Sequence, residues 1–205
     1  FASKHANKSG QAEFTVHALA NWGKAEFGGK DKNVCKSSGV LMRNYFEGLE
    51  KFRKEFGLEE YRVALEADHH GPWVSEKPVV FIEFGGSEKQ WADKNAARVL
   101  VETILSCTKL ENLQNWIPAI GLGGTHYCDN FVKVLQRSNY CFSHICPKYG
   151  LPEFDENSLQ QCLEKSAEKI QAIVLDAKGL ADKERIKKIV AETGLQIVKT
   201  EQLTK

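Results

Sequence analysis

Apolar residues along this chain recur with two periods, and the two kinds of segment alternate. Residues 13–18 set Phe14, Val16 and Ala18 on one face and Thr15 and His17 on the other, which predicts a half-buried strand. Residues 61–67, 78–84, 116–122, 140–146 and 170–176 are apolar nearly throughout and predict strands buried on both faces, with a short last strand over 195–198. Between them the spacing changes to three and four. Leu41, Tyr45, Leu49, Phe52 and Phe56 mark one side of a helix over 36–56, capped by Ser37 or Ser38 and stopped by Gly57. Further helices are predicted over 87–106, capped by Ser87, and over 129–136, 158–169 and 182–193. Residues 21–31, rich in turn residues, predict a loop. Phe1-Ala2-Ser3 reads as the end of an apolar strand entering a polar loop, as if an N-terminal portion were missing. Strands and helices in alternation predict a three-layer α/β domain over 1–205, its sheet mixed or largely parallel and flanked by helices.

That architecture directs attention to the ends of the strands, where such folds place their sites. The 116–122 strand runs into Gly121-Leu122-Gly123-Gly124-Thr125-His126-Tyr127 just before a helix. Glycines let the backbone turn sharply and approach a neighbour closely, and the helix start offers free N–H groups to an anion. All six histidines (His5, His17, His69, His70, His126 and His144) fall at or near strand ends or in loops. One such histidine is ordinarily a packing residue, but six in turn contexts point to acid–base or ligand chemistry. The densest group is Glu66-Ala67-Asp68-His69-His70-Gly71-Pro72, with two carboxylates and two imidazoles able to shuttle protons or hold a metal. Glu83 lies inside an apolar strand and is costly unless it faces a cavity or a cation. Asp176 follows a strand and is placed to orient a histidine or Lys178, and Lys148 follows Pro147 as an oxyanion or phosphate partner.

Composition adds limits. Lysine and arginine number 28 against 27 acidic residues, so the molecule as a whole is no general polyanion binder. Residues 1–45 carry seven cations against three anions, enough to steer a phosphate-bearing ligand locally. No apolar run approaches a membrane span, and no secretory signal opens the chain. The six cysteines form no C-x-x-C pair, as expected for reduced thiols in a cytoplasmic protein. There is no G-x-G-x-x-G, no P-loop and no H-E-x-x-H.

Several motifs, in order along nearly the whole chain, resemble one family. They are the stretch 5–9, Thr15-Val16-His17 with Asn21-Trp22-Gly23, Gly28-Gly29-Lys30, the stretch 66–72, and Phe81-Ile82-Glu83 with Gly85 and Trp91. The stretch 121–127, His144 with Pro147-Lys148-Tyr149, and Asp176 with Lys178-Gly179 complete the set. Together they resemble the archaeal and plant type of D-aminoacyl-tRNA deacylase, whose members carry a further N-terminal segment. Where that family usually has threonine this chain has Asp68. It has Gly123-Gly124-Thr125 for three glycines, and Cys128-Asp129 where alanine-proline is common.

The resemblance implies an architecture like that of peptidyl-tRNA hydrolase and nucleoside phosphorylase. It also implies hydrolysis of the ester joining a D-amino acid to the 3′ end of tRNA, with zinc as a cofactor. His70 or His126 is then the expected base, with His69 and His144 beside it and Glu66 or Asp176 orienting an imidazole. Gly123 and Gly124 offer backbone N–H groups to an oxyanion. His17, Asn21, Lys24, Lys30, Tyr127, Lys148 and Lys178 are expected to hold substrate, with Trp22 as a stacking surface. Two other functions fit the same residues: a metal-dependent ester or amide hydrolase of small molecules, and a tRNA-end-binding protein without catalysis. The partner expected is a charged tRNA end rather than DNA or a membrane, and the chain is a monomer or a homodimer.

Overall fold

The computed structural model describes residues 1–107 and 115–205. Its elements run in the predicted alternation. They are β1 (Ala2–Ala6), β2 (Glu13–His17), β3 (Ala20–Asn21), β4 (Asn33–Val34), α1 (Gly39–Glu55), β5 (Arg62–Leu65), β6 (Phe81–Gly86), α2 (Glu88–Trp91) and α3 (Lys94–Cys107). There follow β7 (Ile117–Gly123), α4 (Asp129–Arg137), β8 (Tyr140–Cys146), α5 (Glu156–Lys165), β9 (Ala172–Asp176), α6 (Lys183–Ala191), β10 (Gln196–Lys199) and α7 (Thr200–Leu203).

The fold is α/β, with eight strands divided between two four-stranded sheets and β3 and β4 paired as a two-stranded hairpin. One sheet, ordered β1-β6-β2-β5, is mixed, because β6 runs antiparallel to β2 while the other pairs are parallel. The other, β10-β9-β7-β8, is wholly parallel, with α4, α5 and α6 as its crossovers. The chain just past β5 joins the two. Glu66 N–H donates to Val16 of the mixed sheet, Ala67 N–H to His126 after β7, and Asp68 N–H to Ile145 of β8. Glu66-Ala67-Asp68 therefore fixes the mixed sheet against the strand ends of the parallel one.

Helix α1 packs on both sheets and buries Met42, Phe46 and Leu49; of the positions the periodicity marked, only Leu49 is fully buried, while Leu41, Tyr45, Phe52 and Phe56 are partly buried against the same core. Its N-terminus is held from a distance: Glu168 accepts from the Gly39 N–H at 3.0 Å and from the Ser38 hydroxyl, a carboxylate at the positive end of the helix. Glu168 is free to do so because α5 ends at Lys165. The predicted helix over 87–106 is interrupted at Ala92 and Asp93. The Asp93 carboxylate caps a new start by accepting from the Asn95 and Ala96 N–H groups. The first strand does not end at Ser3 but continues to Ala6. It is an edge strand, exposed on one face, and it turns His5 inward, which is why its pattern looks polar.

Candidate active site at a histidine wall

The site lies where β5, the β7–α4 turn and the β3–β4 hairpin converge. At the end of β7, Gly123 adopts φ +101°, and a Cβ there would stand 2.4 Å from the Asp176 carbonyl. Only glycine fits so close to β9, and the turn delivers His126 opposite Glu66. His126 Nε2 lies 3.0 Å from Glu66 Oε1, and its Nδ1 lies 3.3 Å from the Tyr149 hydroxyl. Glu66 is buried while His126 is partly open.

Four more imidazoles share this neighbourhood. His69 packs at ring-centroid distances of 4.2 Å from His17, tilted, and edge-on at 4.4 Å from His70 and 4.7 Å from His126. His5, from β1, reaches Tyr127 Oη at 3.3 Å and comes within 3.4–3.7 Å of Glu13, Glu66 and Glu83. Glu83, the charge embedded in an apolar strand, faces His5 and His17.

The charges are interdependent. Burial raises the proton affinity of Glu66, but the His126 hydrogen bond and nearby His17 and His5 outweigh it and leave its pKa at about 2. Glu83 is lowered in the same way by His17 and His5. Burial opposes charge on His5, yet Glu13 and Glu83 raise it to about 9. His69 falls to about 3 through burial and the neighbouring His17, and His70 is lowered chiefly by burial. Both are therefore neutral imidazoles at pH 7.

Two cavities meet at these histidines. The larger, about 520 Å³, is lined by Trp22, Phe27, Tyr149 and the 20–27 segment. The smaller, about 390 Å³, is lined by His5, Glu66, Phe81, Glu83 and Tyr127. His69, His70 and His126 border both and form a wall between them.

The expected residues divide accordingly. Glu66, His69, His70 and His126 come together. Asn21 borders the larger cavity and fastens the hairpin through Gly28, and Tyr127 borders the smaller. His144 stands apart: it is fully buried and bonds Asp68 at 2.7 Å. Asp176 orients no histidine; it accepts from Asn130 at 2.9 Å and from the Lys178 N–H. His17 is fully buried under His69 and has no surface to offer a nucleotide. Trp22 is also buried, donating to the Asp68 carbonyl and packing on Phe154, so it supplies a wall and no open stacking face. Lys30 lies over the Trp73 ring at 3.4 Å. Gly124 accepts from the Lys148 N–H, and Lys148 borders a separate cavity with Arg185. The aromatics exposed at the larger cavity are Phe27 and Tyr149, which the sequence did not single out as ligands. Phe27 sits in the glycine-rich loop, and that was the one available signal.

Among the described residues, metal-ligating atoms converge in three overlapping sets: His17–His69–His70, Glu66–His69–His126 and His5–Glu66–Glu83. The first is built of imidazoles: His69 and His70 are neutral at pH 7, while His17, though burial opposes its charge, is held toward the charged form by Glu83 and Glu66. The Nδ1 atoms of His17, His69 and His70 each face a backbone carbonyl, of Ala18, Ala67 and Gly71 respectively. Carbonyls only accept, so each Nδ1 carries a proton; the neutral His69 and His70 keep the Nε2 lone pair, and His17 would give up its Nε2 proton to bind an ion. His17 Nε2 is buried with no hydrogen-bond partner.

Fold and site together define an α/β protein with a buried carboxylate–histidine acid–base centre at its strand ends. The chain belongs to the D-aminoacyl-tRNA deacylase family, whose model matches residues 1–198. It is 33% identical to the D-aminoacyl-tRNA deacylase of Archaeoglobus fulgidus, covering 100% of this chain and 73% of that protein. It is 35% identical to that of Pyrococcus furiosus, covering 97% and 72%. A crystal structure of a conserved protein of unknown function superposes with a TM-score of 0.90 at 32% identity, covering 100% of this chain and 71% of the other. Among the described residues, no helix is long and apolar enough to cross a membrane.

Proposed function

We propose that this chain hydrolyses the ester of D-aminoacyl-tRNA, releasing the D-amino acid and free tRNA, with His126 as general base and Glu66 as the group that orients it. The observation that carries this reading is the Glu66–His126 pair at 3.0 Å, set in the wall between two cavities. An ionised Glu66 accepts, so His126 Nε2 carries the proton and Nδ1 is free to take one from water. The Tyr149 hydroxyl at 3.3 Å marks where that lone pair points. The aminoacyl ester is labile, so positioning supplies much of the rate. The larger cavity takes the terminal adenosine, with Phe27 and Tyr149 as its stacking surfaces. Charged tRNA places the work in the cytoplasm.

The first histidine set fits zinc: three imidazoles, each oriented by a carbonyl, one with an unpartnered buried nitrogen. His17, His69 and His70 would hold the ion, which when bound would polarise an ester carbonyl or acidify a water. Matched D- and L-aminoacyl-tRNA, followed for ester loss with and without a chelator, test the reading. Selective loss of the D ester supports it, and equal persistence of both esters with folded protein refutes it.

A further inference from the structure

The smaller cavity has a chemistry distinct from the larger one. Three carboxylates, Glu13, Glu66 and Glu83, are buried at or beside it. Against them stand His5, which touches all three, and Arg62, which reaches Glu13 at 3.4 Å. His17, behind the wall, approaches Glu83 no nearer than 3.8 Å. Lys4 borders the cavity, but its ammonium lies over the Trp91 ring at 4.2 Å. Glu66 Oε2 is buried and accepts no hydrogen bond, with His5 Nδ1 nearest at 3.7 Å. A buried carboxylate oxygen without a donor, at the edge of a cavity lined by a second carboxylate, Glu83, calls for a cationic donor.

The geometry points to the substrate's α-ammonium group as that donor: we propose that the smaller cavity is the aminoacyl chamber, where Glu66 and Glu83 bind the amine. This rests on the deacylase reading and names a subsite within it. Glu66 has two oxygens with two tasks. Oε1 holds His126, and Oε2 is turned to the chamber. In an aminoacyl ester the amine and the ester carbonyl share one α carbon. An amine on Oε2 therefore sets the carbonyl beside the imidazole that Oε1 orients. With adenosine in the aromatic cavity, the scissile bond then crosses the histidine wall.

The test removes the charge and leaves the shape. D-aminoacyl-tRNA is compared with the D-2-hydroxyacyl-tRNA of the same side chain, each rate divided by its spontaneous hydrolysis in the same buffer. The expected result is at least a tenfold preference in kcat/KM for the amine, falling severalfold in Glu83→Gln. Equal corrected rates on the two esters in the wild type would overturn the proposal without any variant, and the deacylase reading would survive. Hydrolysis of neither ester would overturn both. Bound metal is counted in the same samples. If Glu83→Gln lost an ion but kept the full preference for the amine, the cavity would be a cation site and the proposal would fail.

Discussion

His144 Nδ1 donates to Asp68 Oδ2 at 2.7 Å, and the Ile145 N–H donates to Asp68 Oδ1 at 2.8 Å, with both side chains fully buried. The carboxylate at the position where the family usually has threonine is thus used inside the protein. Its backbone also carries the join between the sheets, so the pair fastens that join. Removing one partner of such a pair leaves the other buried and unpaired. Asp68→Ala should therefore cost about 3–5 kcal/mol of stability. Urea unfolding checks this, and a loss under about 1 kcal/mol would show that the pair contributes little.

Glu66 makes stability depend on acid. Its pKa is about 2 in the folded chain against an ordinary 4.5, so the contribution is complete above about 4.5 and is lost as pH falls toward 2. Glu66→Gln should be less stable than wild type at pH 6, and the gap should narrow at pH 3. Urea midpoints at the two values measure it; a constant gap would contradict the assigned ionisation.

His69 belongs to two of the ligand sets and lies between the others. Wild-type protein should retain a divalent ion after exchange into metal-free buffer, and His69→Ala should not. Elemental analysis of both proteins reads the result directly. At a free ion concentration a hundredfold above Kd, binding adds about 2.7 kcal/mol of stability, so the melting temperature of wild type alone should rise on adding zinc. Equal metal content in the two proteins would remove His69 from the site.

Gly71 meets the β3–β4 hairpin almost backbone to backbone: a Cβ there would stand 2.5 Å from the Gly29 nitrogen and 2.6 Å from the Gly28 carbonyl carbon. Gly71→Ala should push the hairpin, and Phe27 with it, off the larger cavity. KM should rise tenfold or more while far-UV circular dichroism stays native. An unchanged KM would show that the hairpin does not hold substrate.

The sequence made much of this legible, and the omissions have physical causes. The strands of the parallel sheet were plain because β7, β8 and β9 are buried on both faces and read as nearly unbroken apolar runs. The glycine turn carrying His126 was plain for the same reason, since its strand and helix are both strong. The pairing of His126 with Glu66 was not, because it depends on a hydrogen bond between residues 67 and 126 that no local pattern encodes. His17 looked available because it ends a strand, but the packing of β6 and His69 closes over it. The break before α3 went unseen because Ser87 already offered a cap for one long helix; Asp93 starts a second one through its Oδ1, while Tyr61 donates to its Oδ2 at 2.9 Å.

The central claim is that Glu66 and His126 act as one unit on the ester. Single-turnover hydrolysis of D-aminoacyl-tRNA by wild type, Glu66→Gln, His126→Ala and the double variant tests it most directly. Each single variant should slow the chemical step by about 10²–10⁴-fold. At saturating enzyme the chemical step of the double variant should be little slower than that of His126→Ala alone, because the orienting task of Glu66 needs its imidazole. Folded His126→Ala that hydrolyses the D ester at the wild-type rate would contradict the account.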